Sequence, residues 1–471
     1  MLRCLTKRLS PMTTTSLLEK LQIGLLLALF FILPFQKKLG KLPFSNAIIP
    51  TNLNLPEFFS TKMHFYLVDI LVLTFTILCL YQRRHTLKLF FFNGPAKYLI
   101  ALFLIAILSV IQSTSASYAI SYYRLLQFLI PILLFCSILD FCSSISFLSF
   151  FRKLGWVILA TALIQSTIGI IQFLTQSTLG FKSLGEHAIT LSCFAMNNTL
   201  IFRCGGTFSH PNIFGGFLFF SILITYYLFC TEKNRLFLSL CLIIQSVALL
   251  FSFSRAAIFA YLLASLTWFG ITLYHSFQRQ LDSQGKKVIV LAITVFSVIL
   301  LASMLFYPQI ASRGGLINRS PTTSGADQER VVYQKMAWEM FKDHPVLGVG
   351  FNNFQLFSPS YAPKTHPLSL HSKVHNSYLL ILSEMGICGL LAFLLFLCSL
   401  FKNALRSITL ESATLFAILI GFLFINGCDF YLWDIQNLKI LFFGMAAFLW
   451  ASQKQKAAAL FSSKHLSVKP G

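Results

Sequence analysis

One histidine and a scatter of arginines are the residues in this chain best suited to chemistry. His375 stands in KVHNSYLLILSEMGICGLL, residues 373–391, just before Asn376 and at the mouth of a long apolar run that also contains Glu384. An imidazole there can accept a proton near neutral pH. Arg203 opens RCGGTFSHPNIFGG, Arg255 lies in the short turn FSFSRAA, and Arg330 begins a segment of helical spacing, with Arg313 and Arg319 ahead of it. A guanidinium stays charged at any relevant pH, and its planar fork matches two phosphate oxygens. Together they suggest a proton acceptor beside an anion clamp. Arg124, near the start of the fourth apolar run, is a further candidate.

Each of these residues also has an ordinary role open to it. His375 can be an interfacial histidine bonded to a carbonyl, and Glu384 a tie to a neighbouring helix. Arg255 and Arg124 can snorkel. In GGTFSHPNIFGG, Ser209 and Pro211 are helix-start chemistry, so His210 and Asn212 can simply terminate a helix. A Gly-rich turn at a helix N-terminus is also an anion site.

Several chemistries lack their motifs. The chain has no GxxxxGK[ST], no GxGxxG after a strand, and no CxxC or Cys/His metal spacing. The expectation is therefore no ATP, no dinucleotide, no metal and no other cofactor, with arginine alone stabilising phosphate charge.

The elements that must position these residues are membrane helices. Hydrophobic residues make up 56% of the 471 and charged residues 11%, with 51 phenylalanines. A soluble globular chain carries about twice that share of charge. Apolar runs of spanning length recur near 16–35, 64–81, 98–114, 118–139, 154–175, 211–230, 236–253, 256–275, 287–306, 376–400, 410–427 and 436–452. The expected fold is an all-α polytopic integral membrane protein of about 12 transmembrane helices, with a large helix-containing loop between spans 9 and 10. A net charge of +22 reflects basic residues in short loops, with no aromatic-interleaved basic run to grip nucleic acid.

Orientation follows from those basic residues. Arg83 and Arg84, Arg152 and Lys153, Lys233 and Arg235, Lys286 and Lys287, Lys402 and Arg406, and Lys454 and Lys456 fall on one side, the cytoplasm, while Lys37, Lys38 and Lys41 oppose the trend. Segments 36–63, 176–210 and 307–375 then face outward. The last places Val332, Met336 and Met340 at helical spacing. The chain divides into 1–210 (N-terminal spans), 211–306 (central spans with the Ser-Arg turn), 307–375 (outer loop) and 376–471 (C-terminal spans and tail). The first apolar run starts late and precedes Lys37 and Lys38, so no cleavable signal is expected. Cys193 and Cys204 share an outer loop and could pair in an oxidising compartment.

These residues resemble the O-antigen ligase and O-antigen polymerase family of polytopic bacterial membrane glycosyltransferases. GTFSHPNIFGG is similar to its Gly-Thr-Phe-x-His-Pro-Asn signature and SFSRAA to its Ser-Arg turn. ERVVYQKMAWEMFKDHPVLGVGFNNF is similar to the Arg, Trp, His-Pro and Gly-x-Gly pattern of its large periplasmic loop. HNSYLLILSEMG matches its His-x10-Gly motif, from His375 to Gly386. Gln334 departs from the family's Arg-x3-Leu pattern. The resemblance implies transfer of a glycan from undecaprenyl pyrophosphate to an acceptor hydroxyl, on lipid A–core for a ligase, at the periplasmic face of the bacterial inner membrane. It implies that His375 acts on the acceptor and that Arg203, Arg255 and Arg330 hold the pyrophosphate, with His210, Asn212, Asn376, Glu384 and Arg124 in support. The partners so implied are the lipid-linked donor, the glycan acceptor and the bilayer. A polymerase or a protein-glycosylating relative shares the motifs. From another class stands a proton-coupled transporter, with His375, Glu384 and Asp69 as relay.

Overall fold

The computed structural model describes residues 16–35, 38–41, 64–82, 91–92, 94–113, 118–186, 193–196, 199–278, 282–314, 321–363, 372–402 and 408–466. Its helices are α1 (Leu17–Ile32), α2 (Leu67–Gln82), α3 (Ala96–Gln112), α4 (Tyr118–Cys142), α5 (Phe147–Thr175), α6 (Pro211–Thr231), α7 (Arg235–Phe251), α8 (Arg255–Phe277) and α9 (Ser283–Leu305). After these come α10 (Tyr307–Gly314), α11 (Pro321–Asp343), α12 (Phe354–Tyr361), α13 (Ser377–Phe401), α14 (Leu410–Cys428), α15 (Tyr431–Asp434) and α16 (Gln436–Leu466). Two antiparallel hairpins join them, β1 (Lys38–Lys41) with β2 (His64–Tyr66), and β3 (Cys193–Met196) with β4 (Thr199–Phe202).

Every apolar run marked from the sequence coincides with a helix. Seven of these helices, α4, α5, α6, α8, α9, α13 and α14, contain stretches long and apolar enough to cross a membrane, and α2, α3 and α7 are shorter apolar helices. The chain is an all-α multi-pass membrane protein. α6 lies at the centre, its apolar window 100% buried, and a helix apolar all round belongs there. α9 lies at the edge, with only 17% of its window buried. Small residues permit close approach between helices. Gly421 of α14 faces Phe219 of α6, and Gly169 of α5 faces Phe214.

Helix ends meet on one face of the bundle, which we call the site end. Leu33, after α1, accepts from Asn437 of α16, and Asp69 of α2 accepts from Gln436. Ser113, after α3, accepts from Asn353, which accepts from Ser121 of α4. The starts of α6 and α8 and the ends of α5 and α7 join there through Gly205–Gln172 and Arg203–Ser252 contacts.

α13 explains the glycines and the glutamate in its apolar run. Gly386 interrupts it with φ +63°, and an added Cβ would lie 2.2 Å from the Val346 oxygen. The break frees backbone groups, and the chain at 345–350 fills them. Val349 and Gly350 donate N–H groups to the Ser383 and Glu384 carbonyls, and Ile387 and Cys388 donate to those of Pro345 and Val346. Glu384 accepts from the Phe354 N–H, capping the start of α12. Glu384 is therefore a tie between the chain at 345–354 and the broken helix.

The expected loop helix is α11. Met336 and Met340 are buried and Val332 half-buried. No disulfide joins Cys193 to Cys204, which corrects the pairing expected from the sequence. Cys193 pairs in register with Phe202, while the Cys204 Sγ turns to the Ala248 carbonyl at 3.6 Å. Arg83, Arg84, Arg319, Arg406 and Lys37 lie outside the described residues.

Candidate active site

His375 is held by the loop that joins α14 to α15. Its Nδ1 lies 3.2 Å from Asp429 Oδ1. A carboxylate only accepts, so Nδ1 carries a proton, and the neutral form of the ring keeps its lone pair on Nε2. Nε2 faces the Ser372 hydroxyl at 3.4 Å, long for a hydrogen bond. Phe430 packs edge-on against the imidazole, with centroids 5.1 Å apart. Asp429 is buried and also accepts from the Phe430 N–H at 2.9 Å. Burial pushes its carboxyl upward, but the hydrogen bond and charge of His375 outweigh that and leave it below the usual carboxylate range.

The segment around His375 is fastened residue by residue to the same loop. Asn376 caps α13 by accepting from the Leu379 N–H and donates to the Gly427 carbonyl at 3.1 Å. Ser377 donates to Asn426 Oδ1 and the Asp429 carbonyl.

A polar relay runs from this pair to the first arginine. Asn212 donates to Asp429 Oδ2 at 3.0 Å and accepts from Arg203 Nη2 at 2.7 Å. Arg203 Nε donates to the Ser252 carbonyl at 2.9 Å. His210 is the N-cap of α6, its Nδ1 accepting from the Asn212 N–H at 3.1 Å. The helix-start reading of GGTFSHPNIFGG holds here, and the capped turn also delivers Asn212 to Arg203.

Arg203 is buried, and burial first, then the positive charge of Arg313, lowers it to about 9, with Arg330 and Arg255 acting the same way. It remains protonated at neutral pH. Arg313, on α10, is likewise pressed down to about 10 by burial and by Arg255 and Arg330. Four guanidiniums thus crowd one region. Arg255 opens α8 and forms a forked ion pair with Asp327 of α11 at 2.7 Å. Arg330, on the next turn of α11, makes no hydrogen bond or ion pair among the described residues. Such a cluster has the composition of an oxyanion site.

The structure therefore gathers Arg203, Arg255, Arg330, Arg313, His210, Asn212, Asn376 and His375 at the site end. It does not bring Arg124 into this group. Arg124 donates to Gln127 and lies within electrostatic reach of Asp434 and Lys439. Glu384 serves the backbone, and Asp69 accepts from the Tyr66 N–H and Gln436. His375, Glu384 and Asp69 are not hydrogen-bonded to one another, so the proton-relay reading gains no support. Among the described residues no three His, Cys, Asp or Glu side chains form a metal-ligand group.

Sequence reasoning missed Asp429, Asp327, Lys373 and Asp434. A signal existed for two of them. The chain has 15 acidic residues, and NGCDFYLWD sets two in the short break between the last apolar runs.

No curated protein matches the chain at a significant level. Residues 240–394, which hold Arg255, Arg313, Arg330, His375 and Glu384, match the family model described as O-antigen ligase.

Proposed function

We propose that this membrane enzyme is a glycosyltransferase of the ligase type, which moves a glycan from undecaprenyl pyrophosphate to a hydroxyl of lipid A–core. The observation that carries the reading is the relay His375–Asp429–Asn212–Arg203, which sets a proton acceptor against a four-arginine cluster. The donor's pyrophosphate lies among Arg203, Arg255, Arg313 and Arg330. The acceptor oxygen attacks the anomeric carbon as the bond from that carbon to the pyrophosphate oxygen breaks. The electron pair leaves with the lipid pyrophosphate, whose growing charge the guanidiniums neutralise. The acceptor's proton passes to His375 Nε2. Asp429 fixes the tautomer and stabilises the imidazolium that forms. Direct attack of this kind inverts the anomeric centre.

The reading keeps the twelve crossings expected from the sequence, with segments 36–63, 176–210 and 307–375 on the side of the site end. This reading places that end in the periplasm of the bacterial inner membrane.

The test deletes the gene and resolves surface glycolipid on a gel. The ligase reading expects loss of long-chain lipopolysaccharide with accumulation of lipid-linked polymer. A core carrying a single repeat would identify a polymerase of the same family instead. In purified protein, His375→Ala should transfer roughly 10²–10⁴ more slowly while still binding donor. Transfer at the wild-type rate would remove His375 from the chemistry.

A further inference from the structure

A second polar cluster lies on the other side of His375, and the reaction above makes no use of it. Lys373 is two residues before His375 and 4% exposed, with Nζ donating to Asp434 Oδ1 at 2.7 Å and Asn352 Oδ1 at 2.6 Å. Asp434 also lies within electrostatic reach of Arg124 and Lys439. These residues sit at the starts of α2, α4 and α16, where β2 joins them through the Tyr123 hydroxyl and the His64 backbone.

The cluster has hydrogen-bond donors to spare. Lys439, in the first turn of α16, is 3% exposed and lies within electrostatic reach of Asp434 and Asp69, to neither of which it donates a hydrogen bond. The buried Nε of Arg124 has no partner among the described residues. The carboxylates nearby are already served. Asp69 accepts from Tyr66 and Gln436, Glu384 from the Phe354 N–H, and Asp434 from Lys373. An ammonium carries three N–H donors and a guanidinium five, and burying them unmatched is costly. A ligand that supplied oxygen acceptors would remove that cost.

We infer that Lys439 and Arg124, with Lys373 behind them, form a second subsite, for an acidic group (a phosphate or a carboxylate) on the sugar that receives the glycan. The inference rests on the transferase reading above. The two clusters flank the base. Asp429, on the His375 side, feels Arg330, whereas Asp434 feels Lys373, Arg124 and Lys439. With the donor's pyrophosphate held in the first cluster, the second is left for the acceptor. A charged anchor there would hold the attacking hydroxyl in place beside Nε2.

The test measures binding, so it does not depend on turnover. Full-length protein in a neutral detergent is titrated with lipid A–core, either intact or stripped of its phosphates by phosphatase. Wild type should bind the intact probe about tenfold more tightly. In Lys439→Met that preference should fall below about twofold, with the same loss in Arg124→Gln. Lys439→Arg keeps the donors and should retain most of the preference, which guards against a misfolded methionine variant. Equal binding of the two probes by wild type, or a full preference in folded Lys439→Met, overturns the subsite. Competition by phosphatidylglycerol at equal concentration would assign the cluster to a lipid headgroup and also overturn it. These outcomes are separate from the gel assay, whose failure would instead remove the transferase reading.

Discussion

His375 Nδ1 lies 3.2 Å from Asp429 Oδ1, although 54 residues separate the two in sequence. The carboxylate decides which imidazole nitrogen can act as a base. Asp429→Asn keeps the shape but offers an amide that can hold either tautomer. Turnover should fall roughly 10²–10⁴-fold with donor affinity within about twofold of wild type. Single-turnover rates and donor binding on the purified variant check this. A rate within about twofold of wild type would leave Asp429 as a loop fastener only.

Arg255 is shared between the ligand it is assigned and Asp327. Arg255→Lys keeps the charge but loses the fork, and should weaken donor binding about tenfold or more. Asp327→Asn leaves the guanidinium in place and removes its partly exposed partner. Exposed ion pairs contribute little, so this variant should bind donor as well as wild type or better. Weaker binding in Asp327→Asn than in Arg255→Lys would reverse the roles assigned to the pair.

Gly386 is fixed by backbone geometry. Alanine there must adopt φ near +63° and push against the Val346 carbonyl. Strain of this kind costs about 1–3 kcal/mol before any clash is counted. Gly386→Ala should lower the thermal midpoint in detergent and reduce the protein recovered from membranes. Gly24, whose added Cβ meets nothing within 4 Å, is the control. Equal midpoints for the two alanine variants would contradict the inserted loop.

Asp434 gives an acid-limb prediction. Burial pushes its carboxyl up, but Lys373, Arg124 and Lys439 together hold it at about 2. An unperturbed aspartate titrates near 3.9, and a depressed folded value means that the stabilisation is present above that pH and lost as pH falls toward about 2. The stability gap between wild type and Asp434→Asn should therefore shrink from pH 5 to pH 2. A gap that stays constant across that window would mean the Lys373 pair has no electrostatic weight in folding.

The sequence was most legible where one residue type has one physical use. Apolar runs of spanning length located every long apolar helix, because a helix satisfies its own backbone groups in a bilayer. Arginines in short polar turns located the cluster that the fold gathers at the site end. His375 and Asn376 were visible because polar residues are few at the mouths of such runs. The break at Gly386 was hidden, because a glycine in an apolar run looks the same whether it packs a helix or ends one. Arg124 was grouped with the wrong cluster, since outward position along a helix does not say which neighbours meet it. Asp429 needed the fold, because nothing local links it to a histidine two segments earlier.

The last prediction concerns which face is outside. Basic residues of the short helix connections lie at the end of the bundle away from His375. Arg152 pairs with Glu232 between α5 and α6, and Lys287 Nζ donates to the Cys230 carbonyl at 3.0 Å. Positive residues in short connections stay in the cytoplasm, so the site end should face outward. With the native cysteines replaced, a cysteine at exposed Glu339 on α11 should react in intact cells with an impermeant maleimide. One at exposed Ser283, at the start of α9, should react only after permeabilisation. The opposite pattern would put the arginine cluster in the cytoplasm, where no acceptor displayed on the outer face could reach His375, and the transferase reading would fall with the topology.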